Sequence, residues 1–203
     1  MSPMPEEFKV EAMRQIVEEI LRCRRCNLWR GRRNAVPGEG SLEPLAVFVG
    51  EAPGYWEDLK GRPFVGAAGR LLDETLLSVG LSRKDIYITN ILKCRPPGNR
   101  DPRPEEVKAC TPFLDRQLAV IRPKIIVTLG RHSAKYILSK AGYTISGITA
   151  ARGRIYRAIF WDREVHILPT FHPAAALYNV RLRKYLEGDL KLLRRELEEQ
   201  GLI

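Results

Sequence analysis

Short apolar runs alternate along the chain with longer stretches of helical period. Leu45-Ala46-Val47-Phe48-Val49, Ile86-Tyr87-Ile88-Thr89 and Ile125-Ile126-Val127-Thr128-Leu129 read as buried strands. Arg154 to Phe160 and Val165-His166-Ile167-Leu168 read as a hairpin about Trp161-Asp162-Arg163-Glu164. Between them the spacing predicts a helix over Glu6 to Leu21, with Val10, Met13, Ile16 or Val17, and Ile20 on its packed face. Further helices are expected from about Gly69 to Gly80, from Pro104 to about Ile121, and from about His132 to Lys140. A closing amphipathic helix, roughly Arg183 to Gln200, packs through Tyr185, Leu186, Leu190, Leu193 and Leu197. Lys93 to Arg100 cannot be helical, because Pro96 and Pro97 are consecutive. Strands alternating with helices argue for an α/β fold with a parallel-rich sheet covered on both faces.

In such a sheet, ligands bind beyond the carboxyl ends of the strands. Three connections leave those ends with chemistry on them. The first is a long glycine-punctuated loop, Gly50-Glu51-Ala52-Pro53-Gly54-Tyr55-Trp56-Glu57-Asp58 through Phe64 to Gly69; the second begins at Asn90; the third is Pro169-Thr170-Phe171-His172-Pro173-Ala174. The first loop lacks the Lys or Thr of a phosphate cradle and suits a small planar ligand. A dinucleotide site is disfavoured, because Gly38-x-Gly40 precedes its strand.

With 203 residues, one core and one domain spanning residues 1–203 are expected. The net charge of +10 points to a polyanionic partner such as nucleic acid. No membrane span or signal-like amino end is evident over Met1 to Leu21, so an intracellular, cytoplasmic protein is expected. Scarce Asn and Gln beside plentiful Arg, Glu, Leu and Ile hint at a heat-adapted source.

The four cysteines are Cys23-x2-Cys26, Cys94 and Cys110. A C-x2-C knuckle offers two thiolates to one metal, and Cys94 on a proline-rich loop is placed to join it. Disulfides and inert thiols are the weaker readings. A second knuckle, usual in a zinc ribbon, is missing, which leaves zinc and a cubane iron–sulfur cluster both open.

Gly50-Glu51-Ala52-Pro53-Gly54, Gly61-Arg62-Pro63-Phe64-Val65-Gly66, Thr89-Asn90-Ile91-Leu92-Lys93-Cys94-Arg95-Pro96-Pro97 and Phe171-His172-Pro173-Ala174, with all four cysteines, resemble a family 4 uracil-DNA glycosylase over almost the whole chain. The resemblance implies a three-layer α/β/α fold with a central, mostly parallel sheet. It also implies a structural [4Fe–4S] cluster on Cys23, Cys26, Cys94 and Cys110, and removal of uracil from DNA, single- or double-stranded, in a prokaryotic setting. Ala52 stands where the family's first motif usually has glycine.

On this reading Phe64 supplies the face on which a flipped uracil stacks, and Asn90 reads its edge, since a side-chain amide matches O4 and N3–H together. Gly50 and Ala52 line the same slot. His172 donates to uracil O2, where charge develops on cleavage. Glu51 orients the water and favours the oxocarbenium-like sugar; Glu57 is a rival for that work, or braces the loop. The reaction is expected to need no catalytic metal. His132 and His166 receive structural readings. After His172 only Leu177 or Tyr178 is bulky enough to fill the vacated stack, and Arg95, Arg100, Arg32, Arg33, Arg181 and Arg183 are candidates for phosphate. A monomer is expected, with a sliding clamp left open as partner. Two other readings are a glycosylase for another deaminated base such as hypoxanthine, and a non-catalytic iron–sulfur subunit that binds nucleic acid.

Overall fold

The computed structural model describes residues 5–203; the part of the amino-terminal reading that concerns residues 1–4 lies outside them. Six strands form one sheet in the order β1-β3-β2-β4-β6-β5. Its centre is parallel: β3 (Ile86–Asn90), β2 (Ala46–Gly50), β4 (Ile125–Leu129) and β6 (Arg163–Thr170) run in one direction. The edges, β1 (Glu39–Gly40) and β5 (Tyr156–Phe160), are antiparallel to their neighbours.

The central strands are apolar throughout because both faces are covered, and strand periodicity deals their side chains to opposite layers. Val47, Val49, Tyr87 and Ile126 pack with α1 (Glu6–Arg22), α4 (Pro104–Ile121) and α5 (Arg131–Lys140). Ala46, Phe48, Ile86, Ile88 and Val127 pack with α3 (Ala67–Ser78) and α8 (Val180–Glu199). The result is the expected three-layer α/β/α arrangement. Among the described residues, no helix is long and apolar enough to cross a membrane.

Several elements differ from the sequence expectation. The packed face of α1 is Lys9, Met13, Ile16 and Ile20, with Val10 exposed. Lys9 buries its stem and carries its ammonium to the Glu43 carboxylate, as long amphipathic side chains do. The Gly50–Gly69 segment is not all loop: it holds a short helix, α2 (Tyr55–Lys60), closed by Gly61 in the left-handed region. The two-residue β1 and the four-residue helices α6 (Ile148–Ala151) and α7 (Pro173–Ala176) also lay below the resolution of a periodicity argument. Pro97–Asn99 makes one 3-10 turn and no α-helix. The hairpin forms, but its turn is Trp161-Asp162 alone, both at positive φ, and Arg163 and Glu164 already pair with Phe160 and Ile159 in the ladder. Strand β6 continues through Pro169, tolerated because its pairing with β5 stops at Ile167. Tyr185 is only half-buried on α8, while Asp189 and Glu196 join the buried face.

Candidate active site

The parallel register that pairs Gly50 with Asn90 brings the ends of β2 and β3 side by side. Strand β6 stops at the same rim at Thr170, whose hydroxyl donates to Asp189 Oδ2 (2.6 Å), itself paired with Arg152. The next residues bring His172 to the rim, where it caps α7. A cleft of about 360 Å³ opens there, and Glu51, Ala52, Glu57, Phe64, Asn90 and His172 all line it.

Gly50 lies beneath this group. A β-carbon at that position would collide with Asn90 Oδ1 and stand 2.7 Å from Phe64 Cζ, so the absence of a side chain lets the amide and the ring share one wall. Phe64 itself sits at φ 51°, a left-handed conformation unusual for a bulky residue. Arg83 holds it there: the guanidinium donates to the carbonyls of Phe64 and Pro63 while pairing with Asp73 (2.7 Å) and Glu39 (3.1 Å). The Phe64 ring stacks on the His172 imidazole at 5.5 Å between centroids and 27° between planes. Gly130, at φ 95°, makes room for His172, whose Cβ would lie 3.0 Å from a β-carbon there.

Asn90 is 1% exposed, and among the described residues its Oδ1 has no hydrogen-bond partner. Its backbone is held firmly. The buried Lys93 ammonium donates to the Asn90 carbonyl (2.8 Å), to Thr89 Oγ1 (2.6 Å) and to Gln117 Oε1 (2.7 Å). Gln117 in turn donates to Pro37 O and Tyr87 Oη, both at 3.0 Å. The chain around Asn90 is thus satisfied while its side-chain acceptor is not, an arrangement that costs stability and calls for a donor from outside.

Burial pulls the His172 imidazole down to about 4 against the opposing charge of Glu57, so the ring is neutral near pH 7. Its Nδ1 accepts the Ala174 N–H at 3.1 Å, which assigns the remaining proton to Nε2. Burial raises the Glu51 carboxyl above the ordinary glutamate range; His132 opposes that shift, Asp101 adds to it and Arg131 opposes it. His132 Nε2 stands 3.8 Å from Glu51 Oε2 and 3.6 Å from Asp101 Oδ1. Sequence reasoning missed this neighbour, although β4 ends at the same rim and Gly130 starts α5 there. His166 lies away from the cleft, between Glu164, Glu196 and Gln200. Glu57 differs from Glu51: its Oε1 accepts the N–H groups of Val65 (2.8 Å) and Gly66 (2.9 Å). Ala52 is half-buried against the core that Val47, Val49 and Tyr87 form with α1, α4 and α5.

Cys23, Cys26, Cys94 and Cys110 line one small enclosed cavity with Trp29 and Phe113. Three N–H donors point at their sulfurs: Lys93 N to Cys110 (3.2 Å), Arg32 to Cys94 (3.0 Å) and Arg25 N to Cys23 (3.5 Å). Four thiolates on one zinc ion would stand about 3.8 Å apart. Among the described residues, no three of these sulfurs fall within 4.8 Å of one another. Four thiols sharing one cavity make a donor set able to hold a metal centre.

Of the two bulky residues after His172, Tyr178 is 94% exposed whereas Leu177 packs against the Leu71, Ala176 and Leu186 cluster. Of the six candidate arginines, Arg100 is engaged with Glu106, Arg183 with Glu74 and Glu187, and Arg32 with Cys94 and the Leu21 carbonyl. Arg33, Arg95 and Arg181 form no ion pair among the described residues, Arg181 donating instead to Tyr185 Oη.

The family model of the uracil DNA glycosylase superfamily matches residues 37–194 of the chain. A type-4 uracil-DNA glycosylase of Sulfurisphaera tokodaii is 54% identical over 186 residues, covering 91% of this chain and 84% of the relative. That of Archaeoglobus fulgidus is 50% identical over 182 residues, with 90% and 92% covered. That of Thermotoga maritima is 42% identical over 193 residues, with 94% and 97% covered.

Proposed function

Because the chain belongs to the uracil DNA glycosylase superfamily, we propose that it is a uracil-DNA glycosylase of DNA repair, which hydrolyses the N-glycosidic bond of uracil and leaves an abasic site. The observation that carries this reading is the orphan acceptor of Asn90, buried between Gly50 and Phe64 at the cleft wall. Uracil presents a donor, N3–H, to such an acceptor, and O4 to the amide's donors. Cytosine presents a bare N3 and an amino group, leaving like groups opposed at about 1–3 kcal/mol each.

The base must first leave the stack, at a cost of roughly a few kcal/mol in a duplex. Phe64 offers it a face, and exposed Tyr178 is placed to enter the gap. As the C1′–N1 bond breaks, its electrons pass to the pyrimidine, and neutral His172 stabilises that charge through Nε2–H at O2. Ionised Glu51 orients a water toward C1′ and favours the positive sugar; the water's oxygen joins C1′ and keeps one proton as the new hydroxyl, while the other passes by way of the carboxylate to the departing uracil anion. Glu57, already accepting two N–H groups, serves by bracing the loop that carries Phe64.

Cys23, Cys26, Cys94 and Cys110 would hold a [4Fe–4S] cluster, which when bound supplies a covalent staple joining the end of α1, the loop after β3 and α4. A non-catalytic nucleic-acid subunit has no use for an unpartnered amide beside an aromatic wall. The test is incubation with oligonucleotides carrying uracil or hypoxanthine, without added metal, followed by scission at abasic sites. Scission at uracil is expected. Intact uracil strands would overturn the reading, and scission at hypoxanthine alone would transfer it to the purine.

A further inference from the structure

Beside the cleft stands a group that the proposed chemistry does not use. Tyr55 and Trp56 open α2 immediately after Gly54, which lines the cleft, and they remain 45% and 52% exposed. They meet edge to face, with centroids 5.2 Å apart and planes at 83°. Two guanidinium groups lean over the Tyr55 ring: Arg95 at 5.2 Å and Arg33 at 5.9 Å from its centroid. Both lie within cation–π range, and the residue still keeps nearly half of its surface in solvent. Arg95 immediately precedes Pro96, another lining residue, and Arg33 is tied to α2 by its backbone N–H, which donates to Asp58 Oδ1 at 2.9 Å.

Charge sets these two arginines apart. Arg83, Arg100 and Arg152 are neutralised by carboxylates, while among the described residues Arg33 has no carboxylate partner and Arg95 bonds only the Asn99 amide (2.8 Å). Two unneutralised cations flanking an exposed aromatic suit a ligand with anionic and planar parts in alternation. A duplex offers such a surface its phosphates only, since its bases are stacked inside; an unpaired strand offers both. We infer that Arg33, Tyr55 and Arg95 form a stacking shelf for unpaired nucleotides flanking the extruded base, so that the strand beside the lesion is bound single over α2. This rests on the glycosylase reading and deepens it, because it names single-stranded DNA as the form of substrate the surface fits.

The experiment uses the intact protein and single-stranded oligonucleotides with one uracil, lengthened a nucleotide at a time on either side, together with the longest in duplex form. For the wild type, kcat/KM is expected to rise as one flank grows and then to level off. Tyr55→Leu should remove that rise, about tenfold, with the shortest oligonucleotide cleaved as before. Arg33→Gln, a second surface variant, should lower the salt slope on the long single strand by about one. The inference is overturned if Tyr55→Leu keeps the wild-type dependence on flank length, if Arg33→Gln keeps the wild-type salt slope on the long single strand, or if the loss appears on duplex alone. Failure of the wild type to release uracil from any of these strands would instead sink the glycosylase reading itself.

Discussion

Glu51 and Glu57 stand in one cleft with different bonds, and the difference separates their work. Among the described residues the Glu51 carboxylate accepts no hydrogen bond that would fix it and is held above its ordinary range by burial, whereas Glu57 is committed to two backbone donors. In single-turnover assays Glu51→Gln should slow the chemical step by about 10²- to 10⁴-fold without weakening DNA binding. Glu57→Gln should act mainly on substrate binding and on stability. The same raised carboxyl fixes a pH dependence. Activity should fall on acidification along one limb, centred above the usual glutamate value and absent from Glu51→Gln, while His172 stays neutral until about 4. The stability sign is opposite: a carboxyl more basic folded than unfolded makes the native state lose stability as pH rises through that window. Glu51→Gln should therefore melt higher than wild type at neutral pH, and an unchanged or lower Tm would contradict the account. Lys93→Met keeps shape but removes three hydrogen bonds, one of them to the Asn90 carbonyl. It should lower Tm and weaken binding of free uracil, measured by calorimetry below the transition. Asn90 and His172 were legible in the sequence because each follows an apolar strand at the same rim. Lys93 was not, since nothing in a pattern shows that a lysine is buried, and the approach of His132 to Glu51 depends on which rim the start of α5 faces, which helical period does not carry.

At the scale of elements, the central strands and long helices declare themselves because their periodicity persists over many residues. Helix α2 does not: it is short, and Gly54 and Gly61 at its ends resemble loop punctuation. The face of α1 was turned slightly because a buried lysine stem outcompeted Val10. The four cysteines come from three separated elements that share one cavity, so the proposed cluster would tie those elements together. Cys110→Ala, or extraction of the metal with a chelator after oxidation, should reduce iron content and visible absorbance and should lower Tm. Full stability after complete loss of iron would contradict a stapling role. The donors from Lys93, Arg32 and Arg25 to the sulfurs are invisible in sequence, because they depend on how loops close around the four cysteines.

For the molecule as a whole, a three-layer fold follows from strands whose alternate side chains feed two cores, and the site follows from parallel strands ending on one side. The net charge of +10 supplies long-range attraction to DNA but no selectivity. The proposed function places selectivity on a single amide, Asn90, that the sheet presents beside Gly50. The most direct measurement is the single-turnover rate of base release from matched strands carrying uracil or cytosine, for wild type and Asn90→Asp. Wild type is predicted to release uracil and spare cytosine, and Asn90→Asp to lose uracil release by about 100-fold or more while gaining detectable release of cytosine. Uracil release by Asn90→Asp at the wild-type rate would contradict the account.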